Sequence, residues 1–515
     1  DPVLADNTVV QVNGYDDWRY ITHAGTGAIL ETEHLICFGA PVNGTARGMA
    51  TEGMGAEMCE NEIPQVLKYL RVTSGVNSAV TNASGNYTID PDGPTINAVL
   101  DGTYFDVVHF TGTNTSVSIP VSSPADLLFN SANSDPTVRS QVNLYVEANK
   151  VRDYTLVYNP AYPFVSTQVN FPARANRVDG FCPANAWYSS SDQSINFCLA
   201  GGGSPNTAFS SVIYHEYGHP IVDAAGSGQG AHGEGTGDVM SVLVLDDPRI
   251  SIGFFNNCNG WLRDASLPCQ YQTTGCSSCG SEAHDCGQLI AGCVWSTRNQ
   301  LLASNPGTYR DLLSDLAINA ILLHTGTAIT PQITVDWLTL DDDVPPIGNG
   351  TPHYNEIATG FGAHNMPAPP LTLLGFTFPN GQPSFVHPDG STTIPVNVFN
   401  NGGPPIPGTG VLFVNTGSGF QPYPMTETSA NQYLANVPSS PCGTSVKYYF
   451  RATAQGGVFQ YSPTNAPASF YTSTSAFGIT PSYNDTFQTD TGWATSFNWS
   501  GSGTPTGHWE RAVPF

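Results

Sequence analysis

Ser211-Val-Ile-Tyr-His215-Glu216-Tyr217-Gly218-His219-Pro-Ile-Val222 decides the reading of this chain. Its apolar spacing predicts a helix over residues 211–225. Residues four apart share one helix face, so the imidazoles of His215 and His219 can reach a single metal ion. Glu216 then sits beside the metal's open position, where it can take a proton from bound water. A catalytic zinc takes three protein ligands and keeps one position open. Fourteen residues rich in Gly and Ala follow His219 and lead to Gly233-Glu234-Gly-Thr-Gly-Asp238. A second helix starting near Gly235 would bring in Glu234 as an anionic third ligand. Asp238, four residues on, would accept the N–H of a ligating histidine and fix its tautomer. His232 is the rival ligand and would need a different backbone path. A third histidine preceded by a glycine three residues past the motif is excluded, because Pro220-Ile-Val supplies no such glycine.

Composition bounds the rest. The chain has 515 residues, with 16 Lys+Arg against 41 Asp+Glu and a net charge of −25. That balance excludes a nucleic-acid binder, which needs a basic face to displace counterions from phosphates. No apolar run reaches the ~18–20 residues of a membrane-spanning helix. The length suggests about three or four domains. Seven of the 11 cysteines lie between Cys182 and Cys286, as loop staples of a secreted protein would. Cys276-Ser-Ser-Cys279, with Cys258 and Cys269 nearby, is read as disulfide-forming rather than as a second zinc site. Cys286 and Cys293 are separated by two helical turns, too far to bridge each other.

The predicted organisation is a multidomain α+β chain. Residues 1–40 read as strands that need other strands to be stable. Short alternating segments between Val66 and Ile119 read as a small β-sandwich over 41–118. Helical periods then dominate, at Thr137–Asn149, Ser211–Ala225, Gly235–Leu245, Ala283–Ser304, Tyr309–Leu323 and Thr351–Phe361. Pro367–Pro370 is read as a linker, 367–476 as a second sandwich of fibronectin or immunoglobulin type, and 477–515 as the start of a further β module.

These motifs resemble the gluzincin metallopeptidases, which are thermolysin-like, and among them the fungalysin-like secreted proteases, whose signatures read H-E-Y-x-H and G-E-G-x-x-D. The resemblance covers residues 119–366. It implies a zincin domain with its active-site helix between a β-rich N-terminal lobe and a helical C-terminal lobe, flanked by β-sandwich modules. It implies zinc on His215, His219 and Glu234, with Glu216 as general base and Asp238 behind the ligands. Asn185-Ala186-Trp187-Tyr188 matches the family's edge strand, so Asn185, Ala186 and Trp187 would hold substrate backbone. His284, in Glu282-Ala-His284-Asp-Cys-Gly287, would donate to the oxyanion of the tetrahedral intermediate. Asp341, Asp342 and Asp343 match an acidic loop before the last helix; three adjacent aspartates repel unless a cation or solvent relieves them, so a calcium site and a merely solvated acidic loop are both open readings beside the zinc. Two features depart from the family. No Tyr between His219 and Glu234 supplies a second oxyanion donor, and that interval is shorter than in thermolysin.

Residues 15–31 resemble the last strands of an inhibitory prodomain. They are expected to dock on the Val66–Ile119 strands, with Cys37 tied to Cys59. The C-terminal segments resemble accessory and sorting modules of secreted proteases, which implies secretion with cell-surface association through those modules. The expected function is a secreted zinc endopeptidase acting on protein or peptide. The rival is a surface or adhesive β-module protein carrying an inactive metallopeptidase-like domain. Gly53-Met-Gly-Ala-Glu-Met, a distant echo of an aminopeptidase loop, is set aside because it lies far ahead of His215 in sequence.

Overall fold

The structure, a computed structural model, describes residues 3–11, 17–35, 41–110, 112–274, 276–478 and 480. Cys37 and all of the expected β module over 477–515 except residues 477, 478 and 480 fall outside them. The chain forms two compact units, one running to Ile347 and including Thr351–Pro370, the other made of Gly348–Gly350 and the chain from Leu371. Helix and strand are mixed, and the strands fall into several separate sheets.

Seven helices belong to the first unit: α1 (Pro136–Tyr158), α2 (Ser210–Ala224), α3 (Gly230–Leu245), α4 (Ala283–Ser304), α5 (Tyr309–Ala320), α6 (Gln332–Asp341) and α7 (Tyr354–Gly362). Asp135 starts α1 by accepting the backbone N–H groups of Thr137 and Val138, with Pro136 in the first turn where its missing N–H does no harm. α1 lies in the connection between strands Phe105–His109 and Phe171–Arg177, which pair in parallel; strands Ser116–Pro120 and Leu127–Phe129 precede it there. The larger sheet runs in the order Ala186–Ser189, Ser194–Cys198, Phe171–Arg177, Phe105–His109, Thr95–Gly102, Leu70–Ser74, Asn77–Val80, with Ser116–Pro120 also on Thr95–Gly102. A smaller sheet is built on Val42–Thr51.

This arrangement corrects the expected boundary between 118 and 119. Strands from both sides of it share one sheet, and a single hydrophobic core runs from Val42 to Met366. Alternation along a strand shows that one face is buried, but it does not show which sheet the strand joins.

α2 lies at the centre of that core. Every residue from Ser210 to Val222 is buried. A helix covered on all sides carries apolar residues all round, so its polar side chains stand out as functional candidates. The Gly53–Met54 segment set aside above packs at its start, where Ser210 and Ser211 donate to the carbonyls of Gly53 and Met54.

Four disulfides lock the loops: Cys59–Cys258, Cys182–Cys198, Cys269–Cys279 and Cys276–Cys286. Cys59 is therefore not joined to Cys37. Cys293 is a buried thiol and Cys442 an exposed one. The strands Ala5–Gln11, Asp17–His23 and Ile29–Leu35 form their own antiparallel sheet, and Val9, Val10, Ile29 and Leu30 are exposed rather than docked on the Val66–Ile119 strands. Among the described residues no helix is long and apolar enough to cross a membrane. The disulfides fit an oxidising, extracellular environment.

The second unit is a two-sheet sandwich. One sheet orders Leu374–Thr377, Thr393–Asn400, Gln432–Asn436, Thr426–Ser429; the other Phe385–Val386, Tyr471–Ser475, Ser445–Thr453, Val411–Asn415, Gln421–Pro424, with Phe459–Ser462 also on Ser445–Thr453. Val396 from the first and Leu412, Val446 and Phe450 from the second meet in one core.

Candidate metal centre

Four side chains from three helices converge on one point. His215 and His219 come from α2, Glu234 from α3 and His284 from the first turn of α4. The Nε2 atoms of His215, His284 and His219 lie 3.1, 3.0 and 3.8 Å from Glu234 Oε2. Each ring spends its Nδ1 on an acceptor. His215 Nδ1 donates to Asp238 Oδ1 at 2.8 Å, His219 Nδ1 to Gln229 Oε1 at 2.8 Å, and His284 Nδ1 to Glu282 Oε1 at 3.0 Å. With Nδ1 so engaged, either a proton or a metal cation must lie between each Nε2 and the Glu234 carboxylate: a neutral imidazole would turn its lone pair there, whereas the imidazolium of His215 donates an N–H to it. A tetrahedral zinc site with bonds of about 2.0–2.1 Å has donor atoms about 3.3 Å apart; the distances from Glu234 Oε2 to His215 and His284 fall just under that and the one to His219 just over it.

Helix α3 begins at Gly230, a turn before the expected start, so Glu234 is helical. Glycine is a poor helix former, but close packing here outweighs propensity. A Cβ on Gly218 would stand 2.7 Å from Gly237 Cα, and one on Gly287 would stand 2.6 Å from Gly235 N. α2 thus meets α3, and α3 meets α4, backbone against backbone at the ligand positions.

The charges sort themselves by environment. Burial opposes a charged His215, yet its hydrogen bonds to the Asp238 and Glu234 carboxylates hold it up to about 10. Burial pushes His219 down to about 4. Burial works against a charged Glu234, but its bond to His215 and the nearby histidines bring it down to about 2. Asp238 is held well below the carboxylate range against its burial by Arg263 and His215. Glu216 goes the other way: burial raises it to about 7, and its Oε2 has no hydrogen-bond partner.

Four supporting residues carried no assignment from the sequence. Arg263 clamps Asp238 with two bonds of 2.7 Å, Nε to Oδ2 and Nη2 to Oδ1. Gln229 orients His219 through Nδ1 and also donates to its carbonyl. Glu282 caps α4 and holds His284. Tyr188 stacks on the His219 ring and donates to Asp223. Tyr188 and Glu282 lie inside the quoted motifs and Gln229 just ahead of one, but Arg263 lies in a cysteine-bracketed segment with no local signature.

Strand Ala186–Ser189 is the open edge of its sheet. Cys198 N–H bonds to the Asn185 carbonyl, and antiparallel pairing alternates, so the backbones of Ala186 and Tyr188 face outward. Trp187 does not join the cluster. Successive strand residues face opposite sides, and its ring packs on Phe181 and Arg177 while Tyr188 takes the α2 side. Asn185 Oδ1 accepts the Ala186 N–H.

The rival ligand His232 lies elsewhere, with its ring stacked 3.9 Å from that of His324. The three aspartates do not converge either. Asp341 accepts from Thr351 Oγ1 and the His353 N–H and pairs with His353 Nδ1, while Asp342 caps Val344 N. Among the described residues the one group with metal-binding spacing is His215, Glu234 and His284. Asp341 thus takes part in a capping network at the start of α7.

The chain matches no model of a known protein family, and no curated protein matches it.

Replacing His284 with Ala should lower kcat for peptide cleavage about 10²–10³-fold, with KM little changed and metal content intact. A change confined to KM would make it a substrate-binding or structural residue.

Proposed function

We propose that this chain is a zinc-dependent endopeptidase of the gluzincin type, acting outside the cell on protein or peptide substrates. The observation that carries the reading is the convergence of three histidine Nε2 atoms on Glu234 beside the buried, unpartnered Glu216 oxygen. His215, His219 and Glu234 would hold the metal. His219 is preferred to His284 as the third donor because it is buried and locked by Gln229 and Tyr188, whereas the His284 side chain is 45% exposed. Zinc, when bound, acidifies water and polarises a carbonyl.

The chain's own residues supply the rest. Glu216 accepts a proton from the attacking water and passes it to the leaving amine. The outward backbone of Ala186 and Tyr188 offers substrate a strand to pair with. His284 stabilises negative charge on the carbonyl oxygen; a donor role needs its proton on Nε2, while Glu282 accepts the one on Nδ1. The position of α2 supports the thermolysin-like reading, since it packs on α1 and the Ala186–Ser189 edge on one side and on α3 on the other.

The test is metal content and casein cleavage of the full chain, with and without a chelator. Stoichiometric zinc and activity that falls with chelation and returns with zinc are expected. A zinc-free, active protein, or a loaded but inert one, would overturn the proposal.

A further inference from the structure

Lys447 and Arg451 are the only Lys or Arg between Leu371 and Gly478. Both lie on strand Ser445–Thr453, at positions that alternate with the core residues Val446, Tyr448, Phe450 and Ala452. Both therefore face away from the sandwich core. Neither has a carboxylate partner among the described residues, and Arg451 Nε has no hydrogen-bond partner. Each instead rests on aromatic rings that share the outward face. The Arg451 guanidinium is 4.3 Å from the Phe459 ring centre and 5.1 Å from that of Phe413, and Lys447 Nζ is 4.9 Å from that of Phe470. Phe413 in turn stacks on Tyr449 at 4.6 Å. Phe459 is 50% exposed.

The acids of the same span are elsewhere. Asp389 sits in a turn capping Ser391, and Glu427 lies on a strand of the opposite sheet. The face therefore concentrates every Lys and Arg of this span on an aromatic surface, with no anion to answer them. We propose that it binds an acidic polysaccharide, whose sugar rings lie on the aromatic side chains and whose carboxylate or sulfate groups meet Arg451 and Lys447.

Three points favour this ligand. Lys447 and Arg451 are four residues apart on an extended strand, about 14 Å, so two charges meet separate acid groups of one extended polymer. Their strand is hydrogen-bonded to neighbours on both sides, so a peptide gains no backbone pairing there. Two cations are too few to hold a nucleic-acid backbone. The chain as a whole carries a net charge of −25, so a polyanion is repelled from most of its surface and binding is confined to this face.

The test is affinity electrophoresis of the full chain in gels containing polygalacturonate, dextran or poly-glutamate. Its readout does not depend on hydrolysis. Retardation by polygalacturonate alone is expected, weakened about tenfold in Lys447→Gln/Arg451→Gln and released at about 1 M salt, where the screening length falls to about 3 Å. Arg451→Lys keeps the charge and should retain most binding, which separates loss of the site from loss of folding. No retardation by polygalacturonate, equal retardation by poly-glutamate, or binding that the double substitution leaves unchanged would overturn the proposal.

Discussion

Glu216→Gln is expected to leave zinc bound and to lower peptide hydrolysis by about 10³-fold or more. Glutamine is nearly isosteric and touches none of the atoms that converge on Glu234 Oε2, so the ligand set survives. What is lost is, among the described residues, the one buried carboxylate of the site with an unpartnered oxygen. Turnover above about one per cent of wild type would show that another group accepts the proton. The chelated protein offers a second check. Burial, with the Glu234 charge adding to it and His215 opposing, raises the Glu216 carboxyl from 4.5 to about 7. A raised carboxyl binds its proton more tightly folded than unfolded. That stabilisation is fully present below the ordinary carboxyl value and is lost as pH rises through about 7. Metal-free wild type should therefore lose stability relative to Glu216→Gln between about pH 4.5 and 7, read as diverging unfolding midpoints.

The parts of this site that follow helical periodicity were legible in the sequence. His215 and His219 need only a helix to share a face, with Glu216 one residue on beside it, and Glu234 with Asp238 repeats the same four-residue logic. His284 was legible only through resemblance, because its approach to Glu234 depends on how α4 crosses α3. Arg263 was not legible at all: it reaches Asp238 from a loop whose course is set by the Cys59–Cys258 and Cys269–Cys279 disulfides, and no local pattern encodes such a path. The failure over 41–118 has the same origin. Strand alternation there was real, but the partner of Phe105–His109 lies beyond α1, at Phe171–Arg177. Nor does the run of acids at 341–343 announce that Asp341 accepts at the helix start before Tyr354, since that contact depends on how α6 and α7 pack.

Gly237→Ala should damage the centre without touching a ligand. An added Cβ would stand 2.7 Å from His215 Nδ1 and 2.8 Å from its Cε1, closer than real contacts allow. The His215 ring cannot swing aside freely, because Asp238 holds its Nδ1 and Arg263 holds Asp238. Nor can α3 back away unopposed, since Gly235 on its other side is in backbone contact with Gly287. The strain must appear as a displaced ring or separated helices, and either moves His215 Nε2 away from Glu234. Metal affinity should fall about 100-fold, at the upper end of what disturbing a ligand's support does, and overpacking should remove about 1–3 kcal/mol of stability. Gly362→Ala is the matched control. It lies at the end of α7 with nothing within 4 Å of an added Cβ, so it should be neutral or slightly stabilising and leave metal binding unchanged. Isothermal titration with zinc decides the matter: if Gly237→Ala binds as tightly as the control, the close helix crossing at Gly237 does not set the position of His215.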